Sequence, residues 1–246
     1  MPFTFSHPAV VLPLKRLSPR AFSLTGLIVG SIIPDFEYFM RMKVESIYSH
    51  SVLGLFWFDI PLAVFVAFIY HDIVQDRFIL NLPGFLRNRL NDFRSFNWNV
   101  FFRANWLIVF TSILIGAASH LLWDSFTHPQ GYFVHHIYFL QRTVKIFSVH
   151  IYYYRILQQL SSLIGGIIVL SAILSLKVKS SPQPKNQTNY WLIVTGTTLS
   201  AVGCRFLTGM NVHLYGDVIV TVISGFLIGL VIAPIILTFS TGANTH

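Results

Sequence analysis

The chain has 246 residues, of which 54% are hydrophobic, 15% aromatic and only 11% Asp, Glu, Lys or Arg. A soluble domain carries about 25% charged residues, so this composition, with a mean hydropathy of +0.63, argues against a water-soluble globule or a disordered chain and points to a membrane protein. The net charge of +8 comes from Lys and Arg gathered in loops beside apolar runs, a pattern of membrane topology rather than of nucleic-acid binding.

Residues Met1–Pro8 lack the basic and apolar regions of a secretory signal, so no cleavable leader is expected. Ala21–Ile33 is apolar but only 13 residues long before Pro34-Asp35, so it is either a short span or a re-entrant segment. Val52–Tyr70 is a 19-residue span with Asp59 as its one ionisable group. Arg77–Arg103 is a basic loop containing Arg87, Arg89 and Arg94. Trp106–Trp123 is the next span and holds His120 near its end. Gly131–Gln159 is rich in Tyr and Phe, which favour the membrane–water boundary. Leu160–Leu176 is an uncharged span, and Lys177–Asn189 is a polar, turn-rich linker. Tyr190–Phe206 and Val218–Phe239 complete the spans. The 22 residues of the last would reach about 33 Å as a helix.

These runs predict an all-α, multi-pass transmembrane helix bundle of five or six spans with an interfacial helical segment. The expected organisation is a membrane domain over 1–176, a linker over 177–189 and a C-terminal pair of transmembrane helices over 190–246. Cys204 is the only cysteine, which removes intrachain disulfides and thiolate zinc sites. Gly26-xxx-Gly30 and Gly225-xxx-Gly229 would allow close helix contact, but such patterns are common in membrane helices by chance.

Ionisable residues near spans are costly and mark function. Asp35 and His50 are joined by a loop with no span in it, so they share a membrane face. The span that ends at His120–His128 returns to that face. His120 and Asp124 are four residues apart, on one side of a helix, with His128 one turn further before Pro129. An imidazole and a carboxylate so placed can grip a divalent metal such as zinc, manganese or iron, with Asp35, His50 and His7 completing the shell. Singly, each has a plainer reading: a hydrated interfacial His128, a locally bonded Asp124, a turn residue at Asp35. Their convergence is what favours a metal. Asp59 lies nine residues after His50, about 180° round a helix. It is expected to pair with a base, or to sit protonated beside Pro61, rather than to join His50.

The opening Met1-Pro2-Phe3-Thr4-Phe5-Ser6-His7-Pro8 is followed in order by three further motifs. They are Gly30-Ser31 with Pro34-Asp35-Phe36-Glu37-Tyr38, then Ser49-His50-Ser51, and then Ser119-His120-Leu121-Leu122-Trp123-Asp124-Ser125-Phe126-Thr127-His128. Together they resemble a prokaryotic membrane family, domain of unknown function 4184, from Met1 to about Gly166. The same skeleton is similar to a broader group of membrane-bound metal-dependent hydrolases and, more distantly, to the zinc-dependent phospholipase C superfamily. That resemblance implies His7, Asp35, His50, His120, Asp124 and His128 as metal ligands. Where the membrane hydrolases often carry a second Asp, this chain has Glu37, which would act as general base or further ligand. For His7 to reach the face holding Asp35, Ala21–Ile33 must re-enter rather than span.

Two functions follow. One is a metal-dependent hydrolase in a prokaryotic cell membrane, with zinc as the preferred cofactor, acting on a lipid or lipid-linked phosphoester. Its partner is membrane lipid, and no nucleic acid is involved. The other is a non-catalytic transporter or assembly factor, in which the same His and Asp residues, with Asp59, handle ions or lock helices.

Overall fold

The computed structural model describes residues 3–210 and 214–242, so Met1-Pro2 of the opening motif lie outside the described residues. The chain divides into two compact units: Met1–Asp35 with Tyr48–Val64 and Asn105–Ala172, and Phe36–Ile47 with Phe65–Ala104 and Ile173–His246.

A 3-10 turn over Thr4–Ser6 leads into α1 (Pro8–Leu17), whose leading proline suits a first helical turn. After a turn, Ser23 caps α2 (Leu24–Ile32), its Oγ accepting the Gly26 N–H at 3.1 Å. The helix runs on as a 3-10 turn over Ile33–Asp35 and then as α3 (Phe36–Arg41). Nine residues of α2 rise only about 14 Å. Within Ala21–Ile33, α2 forms the second limb of a short helical hairpin with α1.

The helix α4 (Val52–Asn81) contains two π-helical turns, Leu55–Asp59 and Tyr70–Val74. Next come α5 (Gly84–Leu90) and α6 (Trp98–Thr127), which leaves helical geometry at Asn105 (φ −135°, ψ 28°). Two short helices follow, α7 (Tyr132–His136) and α8 (Tyr138–Gln141). The strands β1 (Thr143–Ile146) and β2 (Val149–Tyr152) pair antiparallel, with Thr143 opposite Tyr152. The interfacial segment is therefore not wholly helical. Three β-branched residues in Thr143-Val144-Lys145-Ile146 and two in Val149-His150-Ile151-Tyr152 favour the ladder, and Phe147 takes the positive φ of 52° at its turn. The chain closes with α9 (Tyr153–Leu174), α10 (Gln187–Leu207) and α11 (Tyr215–Gly242).

Among the described residues, four stretches are long and apolar enough to cross a membrane: Val52–Asn81, Trp98–His136, Tyr153–Leu174 and Tyr215–Phe239. The expected count of five or six is not reached. Ala21–Ile33 falls out by length. The Tyr190–Phe206 run falls out because α10 interleaves its apolar residues with Thr195, Thr197, Thr198, Ser200 and Arg205.

In the first unit, α2 lies directly against the backbone of α6. A Cβ on Gly30 would stand 2.3 Å from the Ile113 carbonyl, and one on Gly116 would stand 2.6 Å from the Leu27 carbonyl. Ser23 N–H donates to Ser112 Oγ at 2.8 Å in the same contact. The N-terminal turn docks on α9, where a Cβ on Gly165 would meet Ser6 O at 2.8 Å and Phe3 N–H donates to Ser162 Oγ at 3.0 Å. In the second unit, Tyr190 and Val194 of α10 pack with Leu230, Ala233 and Leu237 of α11 and with Val74.

Gly30→Ala should lower the thermal aggregation midpoint of the detergent-purified protein. Overpacking costs about 1–3 kcal/mol, more than alanine's helix preference of about 0.5–1 kcal/mol returns. Gly166→Ala is the control, because nothing lies within 4 Å of its added carbon, and its midpoint should hold or rise.

Candidate metal centre

The α1–α2 hairpin brings its two ends together. His7 precedes Pro8 at the start of α1, and Asp35 closes the 3-10 turn after α2. His50 sits in the loop just before Ser51, which caps α4 by accepting the Gly54 N–H at 3.0 Å. His120, Asp124 and His128 lie along one side of α6 and just beyond its end, where the His128 N–H donates to Asp124 O at 3.0 Å.

These six residues meet. His50 Nε2 lies 3.6 Å from Asp35 Oδ1 and 3.7 Å from Asp124 Oδ2. His120 Nε2 lies 3.6 Å from Asp35 Oδ1 and 3.4 Å from Asp124 Oδ2. His7 Nε2 is 3.7 Å from Asp124 Oδ1, and His128 Nδ1 is 3.4 Å from Asp124 Oδ2. The His7 and His120 rings stack with centroids 3.8 Å apart. Two sets, His7/Asp35/His120 and His50/His120/Asp124, can each offer three ligand atoms to one ion.

The remaining polar atoms fix how the rings and carboxylates point. His120 Nδ1–H donates to the Ser31 carbonyl at 2.8 Å, which turns Nε2 toward the carboxylates. Thr4 Oγ1–H donates to Asp35 Oδ2 at 2.5 Å and leaves Oδ1 for the cluster. Ser49 Oγ and His50 Nδ1 share a hydrogen bond of 3.0 Å. His120 (0% exposed), Asp35 (2%), His7 (4%) and Asp124 (7%) form a closed floor. The side chains of His50 and His128, 23% and 27% exposed, form the open edge.

The donor set suits a divalent metal. His7 Nε2, His120 Nε2 and Asp124 Oδ1 are buried without a hydrogen-bond partner. Their ion-pair separations of 3.4–3.7 Å are too long for hydrogen bonds. Two ligands on one tetrahedral zinc, each about 2.0–2.2 Å from the ion, stand about 3.3–3.6 Å apart. Imidazole nitrogen with carboxylate oxygen, and no thiolate, fits zinc, manganese or iron.

Burial, reinforced by the charge of His120, lowers the His7 imidazole to about 4. Burial alone would raise Asp35. The His120 charge, with the facing His120 and His50 imidazoles and the Thr4 hydroxyl, outweighs it and holds that carboxyl well below the usual range. Burial alone would lower His50, but the facing carboxylates of Asp124 and Asp35 raise it overall.

Two other predicted residues are placed differently. The Glu37 carboxylate accepts from Arg41 Nε at 2.9 Å, Ser46 Oγ at 3.0 Å and Ile47 N–H at 2.9 Å, within the second unit. Residues two apart on a helical backbone do not share a face, so Glu37 does not follow Asp35. Asp59 is fully buried in the π-helical turn of α4 and belongs to neither ligand set. The sequence reading also assigned no role to Thr4, Ser31 and Ser49. All three were inside the quoted motifs.

Residues 1–235 match the model of the family described as Domain of unknown function (DUF4184), and the chain belongs to that family. No curated protein and no solved structure matches it.

The metal-free protein should keep His7 neutral well below pH 6. Its folded value of about 4 lies under the ordinary imidazole value of 6.5, so the unfolded chain takes up the proton first. The His7 contribution to stability therefore falls as pH drops from about 6.5 to about 4 and is level below that. Imidazole nitrogen NMR of the metal-free protein should give a His7 midpoint near 4. A midpoint at or above 6.5 would contradict this reading.

Proposed function

We propose that this family member is a membrane-embedded, metal-dependent hydrolase with zinc as its ion, acting on a lipid or lipid-linked phosphoester. The observation that carries the reading is the meeting of two carboxylates and three imidazoles from four separate chain segments at ligand-to-ligand spacing. Asp35, Asp124, His50 and His120 would hold the ion, with His7 beside Asp124 on the closed side. A bound divalent cation would supply Lewis acidity, polarising a phosphoryl oxygen and acidifying water.

The chain's own residues would do the rest. The closed floor excludes water from behind the ligands and leaves one approach, past His50 and His128. His128 Nδ1 stands within 3.4 Å of Asp124 Oδ2 and is partly exposed, so it can exchange protons between the site and solvent or serve as a further ligand. Ser31 and Thr4 keep His120 and Asp35 in their ligating orientations. Glu37 is read as an anchor for the Arg41–Ile47 turn and not as the general base.

Elemental analysis of purified protein tests the reading. Wild type should carry zinc at or above one ion per chain, and His120→Ala and Asp124→Ala should carry almost none. Glu37→Gln should keep its zinc. Thr4→Val, which removes only a supporting hydrogen bond, should weaken zinc about 10–100-fold. Metal-free wild type, or full occupancy in Asp124→Ala, would end the proposal.

The transporter reading keeps one observation of its own: Asp59 is fully buried in a π-helical turn of an apolar span, and such turns often accompany function. Proton flux in proteoliposomes that is lost in Asp59→Asn and retained in Asp124→Asn would favour it.

A further inference from the structure

The basic loop and the polar linker meet within the second unit, and a buried cation lies between them. Arg87 of α5 is only 4% exposed. Its Nη2 donates to Gln183 Oε1 at 2.9 Å, a neutral acceptor. Its Nε–H is buried without an acceptor. Among the described residues no carboxylate pairs with it; Asp76 is paired with Arg94 at 2.8 Å and Asp92 with Lys179 at 2.7 Å.

The linker is held against α5 on both sides of Ser181. Lys179 N–H donates to Asn88 O at 2.8 Å, and Gln183 receives Arg87 two residues beyond Ser181. The side chain of Asn91 also reaches the Ser180 carbonyl, at 3.4 Å. Between these anchors Ser181 Oγ is buried without a partner, as is Asn88 Oδ1. The pinned stretch therefore holds a guanidinium, a hydroxyl and an amide oxygen with unused hydrogen-bonding capacity.

A buried charge without a counter-charge is strongly destabilising. A water molecule would satisfy the donors but leave the charge. An anion satisfies both. Guanidinium recognises the oxygens of a phosphate in pairs, and Ser181 adds a hydroxyl donor. The Asn88 oxygen, an acceptor, suits a phosphate that still carries a proton.

We propose that Arg87, Ser181 and Asn88 form a binding site for a phosphate group, closed by the linker. The phosphate belongs either to a phospholipid headgroup or to free phosphate. The site uses none of the residues of the His/Asp cluster.

The test uses the full chain purified in a phosphate-free maltoside detergent. Thermal midpoints are recorded against inorganic phosphate at constant ionic strength, and native mass spectra are recorded with phosphatidic acid and with diacylglycerol. A lipid site retains phosphatidic acid over diacylglycerol and ignores inorganic phosphate; a free-phosphate site shows the thermal shift without lipid retention. In either case Arg87→Met should weaken binding by about tenfold or more, as loss of a charge-assisted hydrogen bond does. Ser181→Ala should weaken it by a smaller factor, and it carries the test alone if Arg87→Met fails to fold. Asp124→Ala should leave the response unchanged, which separates this site from the metal reading. No response of wild type to either probe, or an undiminished response in Ser181→Ala and Arg87→Met, would overturn the proposal.

Discussion

The first unit depends on the close approach of α2 to α6 at Gly30 and Gly116. Any side chain at either glycine would strike the backbone of the other helix. In an apolar medium helices gain little by burying apolar groups against each other, and close packing of small residues takes over. One consequence is chemical. With the backbones this near, the Ser31 carbonyl reaches His120 Nδ1, one turn beyond Gly116. The same contact sets the position of Asp35, which ends the turn that follows α2. A packing motif thus fixes the tautomer of one candidate ligand and the location of another.

The electrostatics of the cluster point the same way. With every imidazole neutral, two ionised carboxylates would leave a charge of about −2 in a mostly buried place. A divalent cation would balance it. In its absence protons must do so, which accounts for the raised His50 and the depressed Asp35. Stacking His7 on His120 disfavours protonating both. Protons and metal would then compete for the same lone pairs, so affinity for the ion should decline on acidification.

How much of this was legible depended on how local the signal was. The His120-Asp124-His128 spacing needs only helical periodicity, and the three do gather. The shared position of Asp35 and His50 needs only that no span separates them. His7 was ambiguous because its side of the membrane turned on Ala21–Ile33, and hydropathy cannot tell a short span from one limb of a hairpin. The α1–α2 pairing removes the ambiguity. Gly26-xxx-Gly30 was discounted as a frequent pattern, since its partner surface at Ser112 and Gly116 is remote in sequence. Glu37 was assigned a part from its closeness to Asp35 along the chain, whereas its carboxylate is bonded to Arg41, Ser46 and Ile47. The β1–β2 hairpin was not legible because the Tyr and Phe content of Gly131–Gln159 speaks for an interface whatever the backbone does, and the β-branched residues at 143, 144, 146, 149 and 151 are a weak local signal.

The nine acidic residues of the chain connect the two sites. Glu37, Glu45, Asp76 and Asp92 are each paired with an Arg or Lys. Asp72 and Asp217 accept neutral N–H groups, from Asn99 at 2.9 Å and from Val44 at 2.8 Å. Asp59 is sealed within its span. Among the described residues Asp35 and Asp124 each face several imidazoles, and no acid pairs with Arg87. A chain this poor in charge has placed two buried carboxylates together without a strong base, and one buried guanidinium without an acid. Burial makes each arrangement costly in isolation. The two imbalances have opposite signs, so one calls for a cation and the other for an anion.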